Sequence, residues 1–278
     1  MNSGIIFQVD ATDGASRRLG VNIEINGPFI ENIFEMLKKL RFGNMDLPSL
    51  RYITQAGGKL SPELTTEFVD ICSKKNMKFY VMYGQTEASP RMSYLPWEFA
   101  RTKTGSIGIP ITGGHFWLAD ENGKEIKKND KLGELIYEGD NVALGYANSY
   151  KELCHGDENK GVLHTGDIAT RDLDGFYYII GRKRRFLKIF GNRVNLDSIE
   201  QIIKDLGYDC ACKGTDDNLN IYLTDIADRE VISNHLSDKI KINKKALTFL
   251  CIDKIPRNDS GKVLYSSLEN NIIEKCRV

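Results

Sequence analysis

The chain has 278 residues, 41% hydrophobic and 27% charged, enough for a large domain plus a small one with ordinary cores. Lys+Arg and Asp+Glu both number 38, so no global field exists to hold nucleic acid or an acidic membrane. There is no apolar run of the ~18 residues a membrane span needs, no signal-peptide pattern in MNSGIIFQVDATDG, and no C-x-x-C pair or His-rich tract among six scattered cysteines, which predicts a cytoplasmic protein with reduced thiols and no zinc site.

In chain order, IENIFEMLKKLRF (30–42) puts Ile30, Ile33, Phe34, Leu37 and Leu40 on one side of a predicted helix. A second helix is predicted over 61–75, with Ser61 as cap, Pro62 at the first helical position, and Leu64, Phe68, Val69 and Ile71 following. KFYVMYG (78–84) is an apolar run of strand length closed by glycine. This alternation predicts an α/β layer to about residue 103. From 104 to 182, short β-prone runs punctuated by turns such as DENG and DLDG predict a small barrel or curled sheet. In NLDSIEQIIKDLGYD, Leu196, Ile199, Ile202, Ile203 and Leu206 form one helical face, with Asn195 or Asp197 as cap and Gly207 as stop. YDCACK, LNIYLT, a helix from about Asp228 to Ile240, ALTFLCI and the polar loop PRNDSGK complete an αββαβ order. That order predicts a small α+β domain over 183–278, with helices on one side of a sheet.

Patterns for a P-loop, a Rossmann site, a nucleophile elbow and a zincin are absent, and the four histidines share no ligand spacing. What remains is an ordered set of glycine, acid and lysine signals. In QAGGKLSPEL, Gly57 and Gly58 let backbone approach a flat ligand, or make an ordinary turn. In YVMYGQTEASP a strand ends at Tyr83 and Gly84; Tyr83 could stack on a base, Thr86 donate to a phosphate and Glu87 hold Mg²⁺. The other reading is a solvated strand-end turn. Asp167 follows a Thr-Gly turn in LHTGD, where a carboxylate can accept both ribose hydroxyls. Lys262 stands on the Gly- and Ser-bearing loop PRNDSGKV, free to reach a neighbouring domain or simply solvated. Residues 181–193, GRKRRFLKIFGNR, gather six basic residues in thirteen.

Taken together, GG, YGxTE, TGD, GRxxxxxKxxGxR and PRxxxGK in this order closely resemble the adenylate-forming superfamily of acyl-CoA synthetases, luciferases and peptide-synthetase adenylation domains, from about residue 29 to about 268. The resemblance implies a large α/β domain with a distorted β-barrel subdomain (1–182) and a small C-terminal lid (183–278). It implies ATP or AMP with Mg²⁺, a carboxylic acid substrate, and a thiol acceptor on CoA or a phosphopantetheine carrier protein. Tyr83, Gly84 and the Gly57–Gly58 backbone would flank adenine. Thr86 would contact the α-phosphate, Glu87 would ligate Mg²⁺, and Asp167 with Arg182 would hold the ribose. Lys262 would bridge carboxylate and phosphate. The fourth position of GRxx is the family's hinge, usually Asp or Lys, and here it is Arg184. Lys188 would approach the site after the swing. Lys183, Arg185 and Arg193 are candidates for contacts with a CoA phosphate, or are solvated.

The family's Ser/Thr/Gly-rich phosphate loop is not found in residues 1–56. The chain therefore reads as a C-terminal portion, to be completed by an N-terminal region or by a separate N-terminal-half polypeptide. The alternative is a non-catalytic adenylate-binding or interaction module. A nucleic-acid site at 182–193 is the weakest reading, since the basic run is local.

Overall fold

In the computed structural model the described residues are 4–10, 20–26, 30–147, 149–258 and 262–277. Part of the loop quoted above, residues 259–261, lies outside them. The chain divides into two compact units, Met1–Ile180 and Gly181–Val278.

Unit 1 holds a six-stranded sheet, β1 (Gly4–Asp10), β2 (Gly20–Asn26), β3 (Leu50–Ala56), β4 (Lys78–Tyr83), β5 (Ser93–Leu95) and β6 (Ile109–Pro110), in that spatial order. β2, β3 and β4 run parallel, and the remaining pairs are antiparallel. The two parallel crossovers are α1 (Ile30–Lys39) and α2 (Pro62–Lys74). Ile23, Ile53 and Phe79 face one another across the three strands, and with Phe34 and Phe68 they form the core beneath both helices. Phe34 meets Phe68 edge-on at 4.6 Å. Ser61 caps α2, accepting from the Leu64 N–H, and Pro62 opens the helix as expected. Leu40 does not extend the α1 stripe. It lies past the helix, exposed, just before Arg41 turns left-handed at φ 56°.

The expected barrel is absent among the described residues. β7 (Gly114–Ala119), β8 (Gly133–Gly139), β9 (Val162–Arg171) and β10 (Tyr177–Arg182) form an open four-stranded antiparallel sheet, ordered β10-β9-β8-β7. Each strand pairs with its sequence neighbour, and four strands are too few to close around a filled interior. Phe116, Tyr137 and Tyr177 pack edge-on in its core, and Tyr83 from β4 joins them.

Unit 2 begins with the hairpin β11 (Phe186–Ile189) and β12 (Asn192–Asn195), then α3 (Leu196–Asp205). β13 (Cys210–Thr215), β14 (Asn218–Leu223), β15 (Leu247–Ile252) and β16 (Ile272–Arg277) make a four-stranded sheet, with α4 (Arg229–Ile240) between β14 and β15. Asn195 is the α3 cap, accepting from the Asp197 N–H at 2.8 Å. Ile199, Ile203, Ile232 and Leu236 of the two helices pack on Cys212, Ile221 and Phe249 of the sheet. β16 was not expected from the sequence. No helix among the described residues is long and apolar enough to cross a membrane.

Candidate functional site

The parallel strands of unit 1 deliver two of the quoted signals to one end of the sheet. Gln55 pairs with Val81, so the register carried two residues on sets Gly57 level with Tyr83. Open α/β sheets place ligands at these carboxyl ends. Gly57 has φ +82°, a conformation glycine adopts without steric cost, and Gln55 donates its amide to the Gly58 carbonyl to close the turn.

The loop after Tyr83 is tightly built. A Cβ on Gly84 would sit 1.6 Å from the Pro90 carbonyl oxygen, so only glycine fits there. Met92 N–H donates to the Tyr83 carbonyl at 3.0 Å, turning the chain back. Asn141 donates to the carbonyls of Ala88 at 2.6 Å and Arg91 at 3.0 Å, and accepts from the Tyr137 hydroxyl at 2.8 Å. Those bonds tie the loop to the second sheet. Thr86 and Glu87 lie in its short 3-10 turn, Thr86 exposed and Glu87 half-buried. The Glu87 carboxylate accepts from the Tyr146 hydroxyl, and its carbonyl accepts from the Ala143 N–H at 2.7 Å. Through that bond Tyr146 has a pKa above that of an ordinary phenol, so its hydroxyl stays a donor.

Asp167 reaches the same place from β9. Ile136 pairs with His164 and Glu134 with Ile168, so Leu135 alone opposes Thr165, Gly166 and Asp167. This bulge explains the TGD triplet residue by residue. Thr165 donates its hydroxyl to the Leu135 carbonyl at 2.7 Å and accepts from the Asp167 N–H at 3.1 Å. Gly166 supplies the left-handed φ of +67°. Asp167, only 4% exposed, is thereby aimed at β4, where its Oδ2 accepts from the Tyr83 hydroxyl at 2.5 Å and from Gln85 Nε2 at 3.0 Å. Gln85 also donates to the Thr165 carbonyl at 2.9 Å. Tyr83, Gln85, Thr165 and Asp167 are thus one polar cluster joining the two sheets of unit 1. Gln85 and Thr165 had no expected role. Gln85 occupies the variable position of YGxTE, and only the contact across the sheets reveals it.

The other candidates belong to unit 2. Arg182 ends β10, and Arg184 is the middle residue of a 3-10 turn, Lys183–Arg185; both are exposed. Lys188 on β11 is exposed and directly opposite Arg193, whose guanidinium lies 4.6 Å from the centre of the Phe186 ring. Lys262 is exposed; its N–H donates to Asn258 Oδ1 at 2.9 Å and its carbonyl accepts from the Asn258 N–H at 3.0 Å. Arg185 corrects one expectation. It is not offered to an outside anion, because its guanidinium is largely covered and donates to Asp197, Glu200 and the Cys212 carbonyl. Among the described residues no three His, Cys, Asp or Glu side chains cluster as a metal site.

The glycine turn and the buried carboxylate meet at the carboxyl ends of parallel strands, where open α/β sheets take ligands. The family model for AMP-binding enzymes matches residues 26–147. Acetyl-coenzyme A synthetase 1 of Debaryomyces hansenii is 27% identical over 243 residues, 80% of this chain and 36% of that protein. The 2-succinylbenzoate–CoA ligase of Bacillus licheniformis is 27% identical over 230 residues, 79% of this chain and 46% of that protein. The O-succinylbenzoate coenzyme A synthetase (MenE) of Bacillus subtilis, solved in complex with AMP, superposes with a TM-score of 0.67 at 22% identity, over 88% of this chain and 50% of that one. The chain is thus similar to AMP-binding enzymes over residues 26–147 and to acid–CoA ligases over most of its length. It spans half or less of the length of these relatives.

Proposed function

We propose that the chain is the C-terminal portion of an ATP-dependent carboxylic acid ligase that forms an acyl-adenylate and then a thioester. The convergence of Tyr83, Gln85 and Asp167 at the strand ends carries this reading. A carboxylate held by Tyr83 and Gln85 is pre-aimed, and it can accept ribose hydroxyls once the strand ends open to admit them. The relatives' names, acid–CoA ligases in each case, support the same chemistry.

In this reaction a substrate carboxylate oxygen attacks the α-phosphorus of ATP, and the bond to the bridging oxygen breaks as pyrophosphate leaves. A thiol of CoA or a carrier protein then loses its proton and attacks the acyl carbon, and AMP departs. Tyr83 and the Gly57–Gly58 backbone flank adenine, Asp167 and Arg182 hold the ribose, and Thr86 contacts the α-phosphate. Glu87 is the carboxylate suited to Mg²⁺, which supplies charge neutralisation on the phosphates. Glu87 would be the one protein carboxylate holding that ion. Unit 2 serves as a lid pivoting at Arg184, with Lys262 acting in adenylation and Lys188 in thioester formation.

The test is ATP–pyrophosphate exchange by this chain alone and with the N-terminal region of a related ligase added. Exchange under either condition, abolished by Lys262→Ala with thioester formation from pre-made acyl-AMP retained, is the expected result. AMP binding with no exchange under both conditions would identify instead a module that binds adenylate without catalysis.

A further inference from the structure

An ionic cluster around the buried Glu200 of unit 2 has no part in the chemistry above. Arg185 Nε donates to Asp197 Oδ1 at 2.7 Å, Nη1 to the Cys212 carbonyl at 2.6 Å and Nη2 to Glu200 Oε1 at 2.6 Å. Its guanidinium carbon lies 4.1 Å from the centre of the Tyr265 ring. The Tyr265 hydroxyl is 3.0 and 3.2 Å from the two Glu200 oxygens, and the Cys212 N–H donates to Glu200 at 2.7 Å. Glu200 is 5% exposed. Burial works against the Arg185 charge, but Glu200 and Asp197 more than restore it. Burial, then Glu200, pushes the Tyr265 hydroxyl up, so it remains a donor.

A buried pair of this kind is weak evidence for stability, because apolar replacements often serve as well. Its placement suggests another use. Arg185 directly follows Arg184, and Tyr265 lies three residues beyond Lys262. The backbone around Lys262 is closed on itself by Leu264 N–H to the Pro256 carbonyl at 2.8 Å and by the two Asn258 bonds. Arg257 ties it to Asp209 at 2.7 Å. Tyr265 is its anchor on the other side.

We propose that Arg185, Glu200 and Tyr265 are positioning residues that hold the Lys262 segment fixed to the segment bearing Arg184, so that lysine and pivot move as one body. The proposal rests on the role given to Lys262 above. Its test is amide hydrogen exchange, residue by residue, on the intact chain. Tyr265→Phe keeps the ring over Arg185 and removes only the hydroxyl. It is expected to speed exchange at Lys262 and Leu264 about tenfold, with Ile221 and Phe249 in the sheet core unchanged. Glu200→Gln, which also weakens the bonds from Arg185 and the Cys212 N–H, is expected to speed exchange at the same two amides at least as much, and the double variant less than the product of the two effects, because both changes act on the Tyr265–Glu200 bond. Unchanged exchange at Lys262 and Leu264, equal acceleration in the sheet core, or additive effects would overturn the proposal. If Glu200→Gln does not fold, Tyr265→Phe alone decides. Should Lys262→Ala leave adenylation intact, the role of Lys262 falls while the exchange result still stands by itself.

Discussion

Tyr83→Phe isolates the bond on which the candidate site turns. The substitution leaves the ring against Phe116, 6.4 Å between centroids, and deletes a hydroxyl 2.5 Å from Asp167 Oδ2. Asp167 is 4% exposed, so water does not readily replace the lost donor, though Gln85 still donates at 3.0 Å. A hydrogen bond to a charged group contributes about 1.5–3 kcal/mol net, and with Gln85 still donating we take about 2 kcal/mol. That corresponds to a roughly 30-fold smaller folded-to-unfolded ratio and, for a unit of this size, a fall in Tm of about 4–8 °C. Urea unfolding followed by tryptophan fluorescence reads it directly, with an unchanged m-value showing that the loss is one of stability. An unchanged midpoint would mean that the Tyr83 hydroxyl does not support Asp167, and the cluster would lose its physical basis.

Gly84→Ala forces a carbon to within 1.6 Å of the Pro90 carbonyl oxygen; the loop must shift, at a cost of about 3 kcal/mol in the urea midpoint, and a midpoint near wild type would refute the packing. Burial pushes the Cys72 thiol up to about 12, so iodoacetamide at pH 8 should label the exposed Cys154 first and reach Cys72, Cys210 and Cys212 only after unfolding, as peptide mapping will show. Burial opposes the Asp172 charge, yet the Lys103 ammonium at 2.8 Å and the Phe176 N–H hold its pKa below the ordinary 3.8. Its stabilising effect is therefore full above that value and fades as pH falls through the folded one, so the stability lost in Lys103→Met should be larger at pH 6 than at pH 3; an equal loss at both would contradict the assignment.

Much of this was legible from local pattern. Helical periodicity and caps gave α2 and α3 nearly to the residue, because Ser61, Pro62 and Asn195 act on their own neighbours. Leu40 broke the α1 pattern because Arg41 turns left-handed at once, which no periodicity reveals. Of the barrel or curled sheet expected over 104–182, the described residues show a four-stranded sheet and no closed barrel, for a non-local reason: strand runs are visible in sequence, whereas their closure depends on which edges pair. The same holds within the site. HTGD announced Asp167, but the bulge that aims it depends on β8, thirty residues away, through the Thr165–Leu135 bond. Gln85 went unassigned because its partners are 80 and 82 residues distant. Arg185 was misread as one more charge in a basic run, since its anions sit on a helix that only folding brings beside it.

Calorimetric titration of AMP into the intact chain, with Asp167→Asn measured beside it, tests the proposed adenosine site most directly. One saturable site is expected in the unaltered chain, with at least about tenfold weaker binding in the variant, the equivalent of about 1.4 kcal/mol. Saturable binding of equal strength in both proteins, or none in the unaltered chain, would contradict it.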